Sequence, residues 1–335
     1  MPQPAAIDLH THIVPAEFPA YAGKHDATRW PQMAAGSDCH HKNVMIAGKN
    51  FRTVSDECWE VSRRIEAMDH MNIGMQVLSP MPELLSYWFP PEDGLAIARH
   101  INGTISGMVA QSPKRFCGLG MVPLQDPELA SRELENLMRD GFRGVEIGSS
   151  VNGVAIGSPQ FQPFFATAEK LGAAVFIHAL HPAGTERIVG PPRLIPLIAF
   201  PGEIATGLAS IVTGGMFERH PRLKLCFSHG GGTFGIILPR LMQGWRLSKI
   251  VREHIAQSPE EQARRFYYDT VLFSPTSLAF LIASFGVTQL CIGTDYPFEL
   301  SEAAPLDLIG ALNLGEAERA ALHAGNARRF LALPA

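Results

Sequence analysis

The stretch AIDLHTHIV, residues 6–14, decides how the rest of the chain is read. Its apolar, β-branched character predicts a strand, on which residues i and i+2 point to the same side. His10 and His12 then face one centre, with Leu9 and Thr11 turned the other way. Two imidazoles converging from one strand are half of a metal site, or simply two ordinary histidines. The remaining strands decide between these.

Seven further apolar, β-rich runs follow: GMQVLSPM (74–81), FCGLGMVPL (116–124), GVEIGS (144–149), AAVFIHAL (173–180), LKLCFSHGG (223–231), RFYYDTV (265–271) and QLCIGTDYP (289–297). Helical periodicity predicts helices over 59–72, 91–111, 127–141, 158–172, 202–220, 233–254, 275–286 and 315–333. Strands and helices in this alternation predict an α/β fold, a (β/α)8 barrel formed by one domain over 1–335. The Gly-, Pro- and His-rich stretch 15–58, without clear period, is expected to be a lid or subdomain inserted after strand 1. A second irregular stretch, 181–196, follows strand 5.

In such a barrel the chemistry sits at the C-terminal ends of the strands. Strand 1 ends in His10 and His12, strand 5 in His178, strand 6 in His229 and strand 8 in Asp295. Alone, His178 reads as a satisfied core histidine, Asp295 as a cap or turn residue, and His229 as a strand-end turn. Together at one structural level they predict a catalytic metal centre. His10, His12, His178 and Asp295 offer three imidazoles and a carboxylate, a shell suited to one Zn2+ per subunit ahead of iron, manganese or cobalt. Such a metal lowers the pKa of a bound water to about 7. His229 is then the candidate general base or acid, and Gly230-Gly231-Gly232 is expected to let backbone approach a substrate closely.

Bulk properties narrow the partners. The 335 residues are 46% hydrophobic and 18% charged, with a net charge of −4, which suits a globular protein with a large core. There is no basic surplus to attract nucleic acid or an anionic membrane, and no run of about 18 unbroken apolar residues of the kind a membrane span needs. The N-terminus MPQPAAID lacks the form of a signal peptide, so a cytoplasmic location is expected. Five scattered cysteines, an odd number and never in C-x-x-C spacing, read as reduced thiols, with Cys226 and Cys291 as small core residues.

With these residues in place the chain resembles the amidohydrolase superfamily. More narrowly, it resembles the branch of metal-dependent decarboxylases that includes α-amino-β-carboxymuconate-ε-semialdehyde decarboxylase. The resemblance is carried by DLHTH (8–12), GKNFR (48–52), RIEAMD (64–69), VPLQD (122–126), FSHGGG (227–232), GTDYPF (293–298) and GNARRFL (325–331). It implies that His10, His12, His178 and Asp295 hold one zinc and that His229 activates the metal-bound water. It further implies that Arg52 binds a substrate carboxylate and that Arg240 reaches across from a partner subunit, so a homodimer or higher homo-oligomer is expected. Strand 4, RGVEIGSS, lacks the lysine that carries a second metal in larger members, which favours a mononuclear site. Glu146 on that strand either recruits a second metal or serves as a hydrogen-bonded group beside the first.

Two departures from the branch concern the substrate wall. Where the semialdehyde decarboxylases read H-P-W-D, this chain reads His178-Ala179-Leu180-His181, and the tryptophans of their following loop are replaced by Pro191 to Pro196 with Arg193 among them. A lost aromatic wall, with polarity added by His181 or Arg193, is expected. The function expected is a zinc-dependent, non-oxidative decarboxylase of a small carboxylic acid, muconate-semialdehyde-like or aromatic, from ring catabolism. A hydrolase or hydratase could use the same residues, and a binding or sensor protein on a relic barrel is the reading from another class.

Overall fold

In the computed structural model, which describes residues 6–334, eight strands pair in chain order: β1 (Ala6–Ile13), β2 (Ile73–Pro80), β3 (Phe116–Gly120), β4 (Gly144–Gly148), β5 (Ala174–His178), β6 (Lys224–Phe227), β7 (Tyr267–Asp269) and β8 (Leu290–Cys291). Every pairing between them is parallel. The ring closes where the chain beyond β8 runs along β1. Leu9 N–H donates to the Ile292 carbonyl (2.8 Å), Asp295 N–H to the His10 carbonyl (2.9 Å) and His12 N–H to the Tyr296 carbonyl (2.7 Å). The buried Asp8 carboxylate stitches the same seam, accepting from the Thr294 hydroxyl (2.6 Å), Thr294 N–H (3.1 Å) and Gln76 (3.3 Å). This is the (β/α)8 barrel, and the aspartate of DLHTH and the threonine of GTDYP are its closure.

The helices of ten residues or more are α1 (Val61–His70), α2 (Pro91–Gln111), α3 (Pro127–Arg139), α4 (Gln162–Leu171), α5 (Leu194–Thr213), α6 (Phe234–Leu247) and α7 (Pro275–Phe285). Residues such as Val145, Ile147, Val175 and Ile177 face them from the strands, while Ile7, Leu9, Val77, Leu119, Phe176, Cys226 and Cys291 form a second cluster inside the barrel, closed by Phe330 and Leu331. Leu9 therefore points inward, against the expectation from simple alternation. The register of β1 on β2 shifts between Asp8 and Thr11, and the irregularity lets His10 face the interior as well.

The insertion after β1 is more ordered than its composition suggests. Gln32–Ala35, His41–Ile46 and Lys49–Ser55 form an antiparallel three-stranded sheet. Ala47 and Gly48 turn the hairpin with φ of 53° and 70°, the positive pair a tight two-residue turn demands. In the last of these strands Val54 is buried while Phe51 and Thr53 are exposed, so the two-residue period turns Arg52 to the inner face.

Helix α5 begins eight residues before the expected 202 and ends at Thr213 instead of 220. Pro196 lies in its first turn, where a missing N–H costs nothing, and Pro201 is carried within it. Gly214 and Gly215 then break the helix, with Gly215 in the left-handed region. Among the described residues, α5 is long and apolar enough to cross a membrane by length and composition. Its second half instead buries Ile204, Leu208, Ile211 and Val212 against the barrel. The helix expected over 233–254 is divided at Ser248, whose hydroxyl caps the short helix Lys249–His254.

Candidate active site

Four of the strand-end residues converge at the open end of the barrel. The ligand atoms of His10, His178, His229 and Asp295 all lie within 4.8 Å of one another. His12 joins them, its Nε2 being 2.9 Å from His10 Nε2 and 3.0 Å from Asp295 Oδ1. All three imidazoles from β1 and β5 have their other nitrogen engaged by an acceptor. His10 Nδ1 meets the Asp269 carboxylate (2.6 Å), His12 Nδ1 the Pro80 carbonyl (2.9 Å) and His178 Nδ1 the Ala179 carbonyl (2.8 Å).

That pattern fixes the tautomers. Each Nδ1 must carry a proton, so in the neutral rings each Nε2 presents a lone pair. Three lone pairs and the Asp295 carboxylate then face one another with no donor among them, and His178 Nε2 is buried without a hydrogen-bond partner among the described residues. A divalent cation is the group that such an acceptor-only set fits. Burial pushes the His178 imidazole well below its ordinary range, with His229, His10 and His12 adding to the effect, so the ring is held neutral. Burial works against ionisation of Asp295 as well, yet the surrounding imidazoles, His10 first and then His12 and His229, hold it well below the usual carboxylate range.

His229 differs from these three. Its Nδ1 lies 3.0 Å from the Ser228 hydroxyl, which can donate or accept, so its tautomer is not fixed. Its Nε2 stands 3.8 Å from Asp295 Oδ2, the oxygen turned away from His12. Both His229 and Asp295 have positive φ, 52° and 64°. Such conformations persist in non-glycine residues only where the surroundings enforce them.

Asp269, at the end of β7, enforces the one at His229, and sequence reading missed it. Its Oδ2 accepts from His229 N–H (2.9 Å) besides His10, and its Oδ1 accepts from Gly230 N–H (2.9 Å) and Val271 N–H (3.1 Å). One buried carboxylate thus orients the His10 ring and pins the turn bearing His229. Its position at a strand end, in the same place as the others, was the available signal. The three glycines behind His229 are each required by the protein's own packing. A Cβ at Gly230 would lie 2.8 Å from Leu272, at Gly231 2.9 Å from Tyr268 and at Gly232 1.9 Å from the Pro201 carbonyl.

Glu146 lies under His12, 3.6 Å from Nδ1 and away from the converging Nε2 atoms. Ser79 Oγ is 2.8 Å from the Thr11 carbonyl and 2.5 Å from Glu146 Oε2. One hydroxyl proton cannot serve two acceptors, so the Glu146 carboxyl supplies the second, in keeping with burial raising it to about 7. Arg64 of the RIEAMD motif is buried too, and donates to the His12 carbonyl (2.8 Å), Gln76 (2.8 Å) and the Glu57 carbonyl (3.1 Å).

Aromatic rings flank the set despite the missing tryptophans. Phe298 stacks on His12 at 5.2 Å, and Phe200 of α5 lies 6.1 Å from His178 and 6.2 Å from His229. The Arg52 guanidinium sits over Phe298 at 4.2 Å, so the inserted sheet delivers it to the same opening. Burial lowers its pKa, and Asp295 is the leading opposing influence. Arg193 pairs with Glu299, both exposed, and Arg240 is exposed on α6. Within one chain Arg240 is not brought to the site.

The chain is similar to known proteins in sequence and in fold. The family model described as amidohydrolase covers residues 7–333. The chain is 37% identical to the 2-amino-3-carboxymuconate-6-semialdehyde decarboxylase of Dictyostelium discoideum over 334 residues, 98% of this chain and 91% of that one. It is 28% identical over 294 residues to the gamma-resorcylate decarboxylase of Rhizobium radiobacter, covering 81% and 86% of the two chains. The crystal structure of 5-carboxyvanillate decarboxylase from Sphingomonas paucimobilis aligns with a TM-score of 0.75 and 27% identity, covering 81% and 83%. The chain belongs to the amidohydrolase family, in its branch of metal-dependent decarboxylases.

Proposed function

We propose that this member of the amidohydrolase family is a zinc-dependent, non-oxidative decarboxylase of a small unsaturated or aromatic acid, either muconate-semialdehyde-like or a benzoate. His10, His12, His178 and Asp295 would hold the metal, and the observation that carries this is the acceptor-only cluster of three tautomer-locked imidazoles around one carboxylate. When bound, the cation supplies stabilisation of the negative charge that builds as the C–C bond breaks.

The chain's own groups do the rest. Arg52 offers a planar fork to a substrate carboxylate at the mouth. Phe298 and Phe200 give flat apolar faces against which an unsaturated acid can lie, and they keep water from the reacting carbon. As carbon dioxide departs, that carbon needs a proton in its place. His229 is the group to deliver it, being the one imidazole of the set whose tautomer is free to switch.

Arg240 belongs to this proposal through a second copy of the chain. Its helix α6 and the next short helix expose Ile236 (69%), Leu247 (75%) and Ile250 (79%), apolar groups of the kind an interface between copies covers. The function is tested by loading the purified protein with zinc and supplying aromatic and muconate-type acids while measuring released carbon dioxide. Release that depends on the metal supports a decarboxylase. Turnover of lactones or amides without carbon dioxide would replace it with a hydrolase. For the assembly, sizing of wild type and Ile236→Glu is decisive: a dimer lost in the variant, with activity falling alongside, is expected, whereas a fully active monomer removes Arg240 from the site.

A further inference from the structure

The loops after β2 and β5 meet at the mouth of the barrel, although β3 and β4 stand between those strands. The first loop is tied over the end of β4, since Gly148 N–H donates to the Tyr87 hydroxyl (3.1 Å) and Asn152 donates to the Tyr87 carbonyl (2.8 Å). From it Glu83 reaches His181 of the second loop, Oε1 to Nε2 3.1 Å. Trp88 packs beside the same imidazole, ring centroids 5.7 Å apart, and the Arg29 guanidinium covers Trp88 at 3.8 Å. Glu83 lies three residues beyond Pro80, whose carbonyl holds His12, and His181 three beyond His178, which places this cluster beside the opening over the candidate metal centre.

Three features mark the cluster. His181 is held at a φ of +47°, a conformation that a residue with a Cβ adopts only under constraint. Its Nδ1 makes no hydrogen bond among the described residues. The neighbouring Trp88 Nε1 is buried without an acceptor among the described residues.

We propose that His181, positioned by Glu83 and backed by Trp88, is the specificity-determining residue for the end of the substrate remote from the departing carboxylate, selecting acids that carry a hydroxyl or amine there. A neutral imidazole donating Nε2–H to Glu83 presents its Nδ1 lone pair as an acceptor. A substrate O–H or N–H satisfies that atom, and a methyl group in its place leaves it unpaired. Sites built around such a bond discriminate strongly against analogues that lack the group, and the half-exposed rim position reduces the ratio to about tenfold. Glu83 acts only through His181, by holding its ring and tautomer.

The inference rests on the decarboxylase reading, and the test separates the two. Zinc-loaded wild type, His181→Ala, His181→Gln and Glu83→Gln are assayed for carbon dioxide release from 2,4-dihydroxybenzoate and from 2-hydroxy-4-methylbenzoate, which differ only at the ring position opposite the carboxylate. In wild type the dihydroxy acid is preferred by about tenfold in kcat/KM, and His181→Ala removes the preference mainly through KM. His181→Gln, whose amide oxygen can still accept, restores part of it, and Glu83→Gln weakens it. A preference that survives in His181→Ala, with metal content equal to wild type, overturns the assignment. Should wild type decarboxylate neither acid, the decarboxylase reading for these acids fails, and calorimetric binding of the two acids still decides on His181: tighter binding of the dihydroxy acid to wild type alone supports it, and equal binding in both proteins overturns it.

Discussion

The inner ring of the site and its rim are built by opposite means. In the inner ring His10, His12 and His178 stand on parallel strands and are buried, each Nδ1 bonded to a backbone carbonyl or a carboxylate, and Asp295 lies just past β8, partly buried. The rim, comprising Arg52, Glu83, His181, Arg193 and Phe200, stands on an inserted sheet, on loops and on the start of a helix, and its charged members are half-exposed or exposed. Barrel strands cannot shift without breaking the ladder, whereas loops can change sequence while the ladder stays whole. The contrast separates a fixed chemistry from an adjustable choice of substrate.

The largest effects should fall on the inner ring and should split it. His178→Ala removes a ligand and should leave the purified protein with little zinc and less than about 0.1% of wild-type turnover. His229→Gln should retain zinc and still lose about a hundredfold or more, because a proton donor is gone while the acceptor cluster is whole. Metal analysis beside single-turnover rates checks both. If the two variants lose metal equally, the division between ligands and proton donor collapses.

Next in size is Asp269. Asp269→Asn keeps the shape but removes the charge from a group that meets His10 Nδ1 at 2.6 Å. Zinc affinity should fall about 10–100-fold, as it does when the partner of a ligating histidine is lost. Competition against a chelator measures this without recourse to catalysis, and unchanged affinity would make Asp269 a turn-forming residue only.

The inner ring was legible in the sequence because each member follows an apolar run in a βα alternation, so the topology alone places it. Asp269 escaped because RFYYDTV carries one aspartate with no neighbour to mark it. Its importance comes from a contact with His10, 259 residues away in the chain. The inserted sheet escaped for a different reason. Its strands are short and polar on their outer faces, and the hairpin turns on Ala47-Gly48, a weaker signal than Asn-Gly or Asp-Gly. The register shift in β1 was hidden as well, since simple alternation already put His10 and His12 on one face and gave no reason to look further.

Arg52 tests whether the rim contributes binding rather than chemistry. Arg52→Lys keeps a positive charge but loses the planar fork. A rise in KM of about tenfold, with a smaller change in kcat, is expected from losing one charge-assisted bond at a partly solvated position. Steady-state kinetics across zinc-loaded samples of equal metal content give the answer. A fall confined to kcat would move Arg52 from the rim to the reacting centre.

The smallest effect should come from Arg193, whose charge the sequence made a candidate for the substrate wall. In the fold its guanidinium pairs with Glu299, and both side chains stand well out in water, at 72% and 81% exposure. An exposed pair of this kind contributes about 0–1 kcal/mol, because water screens the charges and both long side chains lose rotamer freedom. Arg193→Gln should therefore leave melting temperature and kcat/KM near their wild-type values, with any change shrinking further at high salt. A tenfold loss would mean that the ion pair opens and Arg193 swings over the mouth when substrate binds. The rim would then extend onto the N-terminal end of α5, and the choice of substrate would depend on a loop that moves rather than on one already in place.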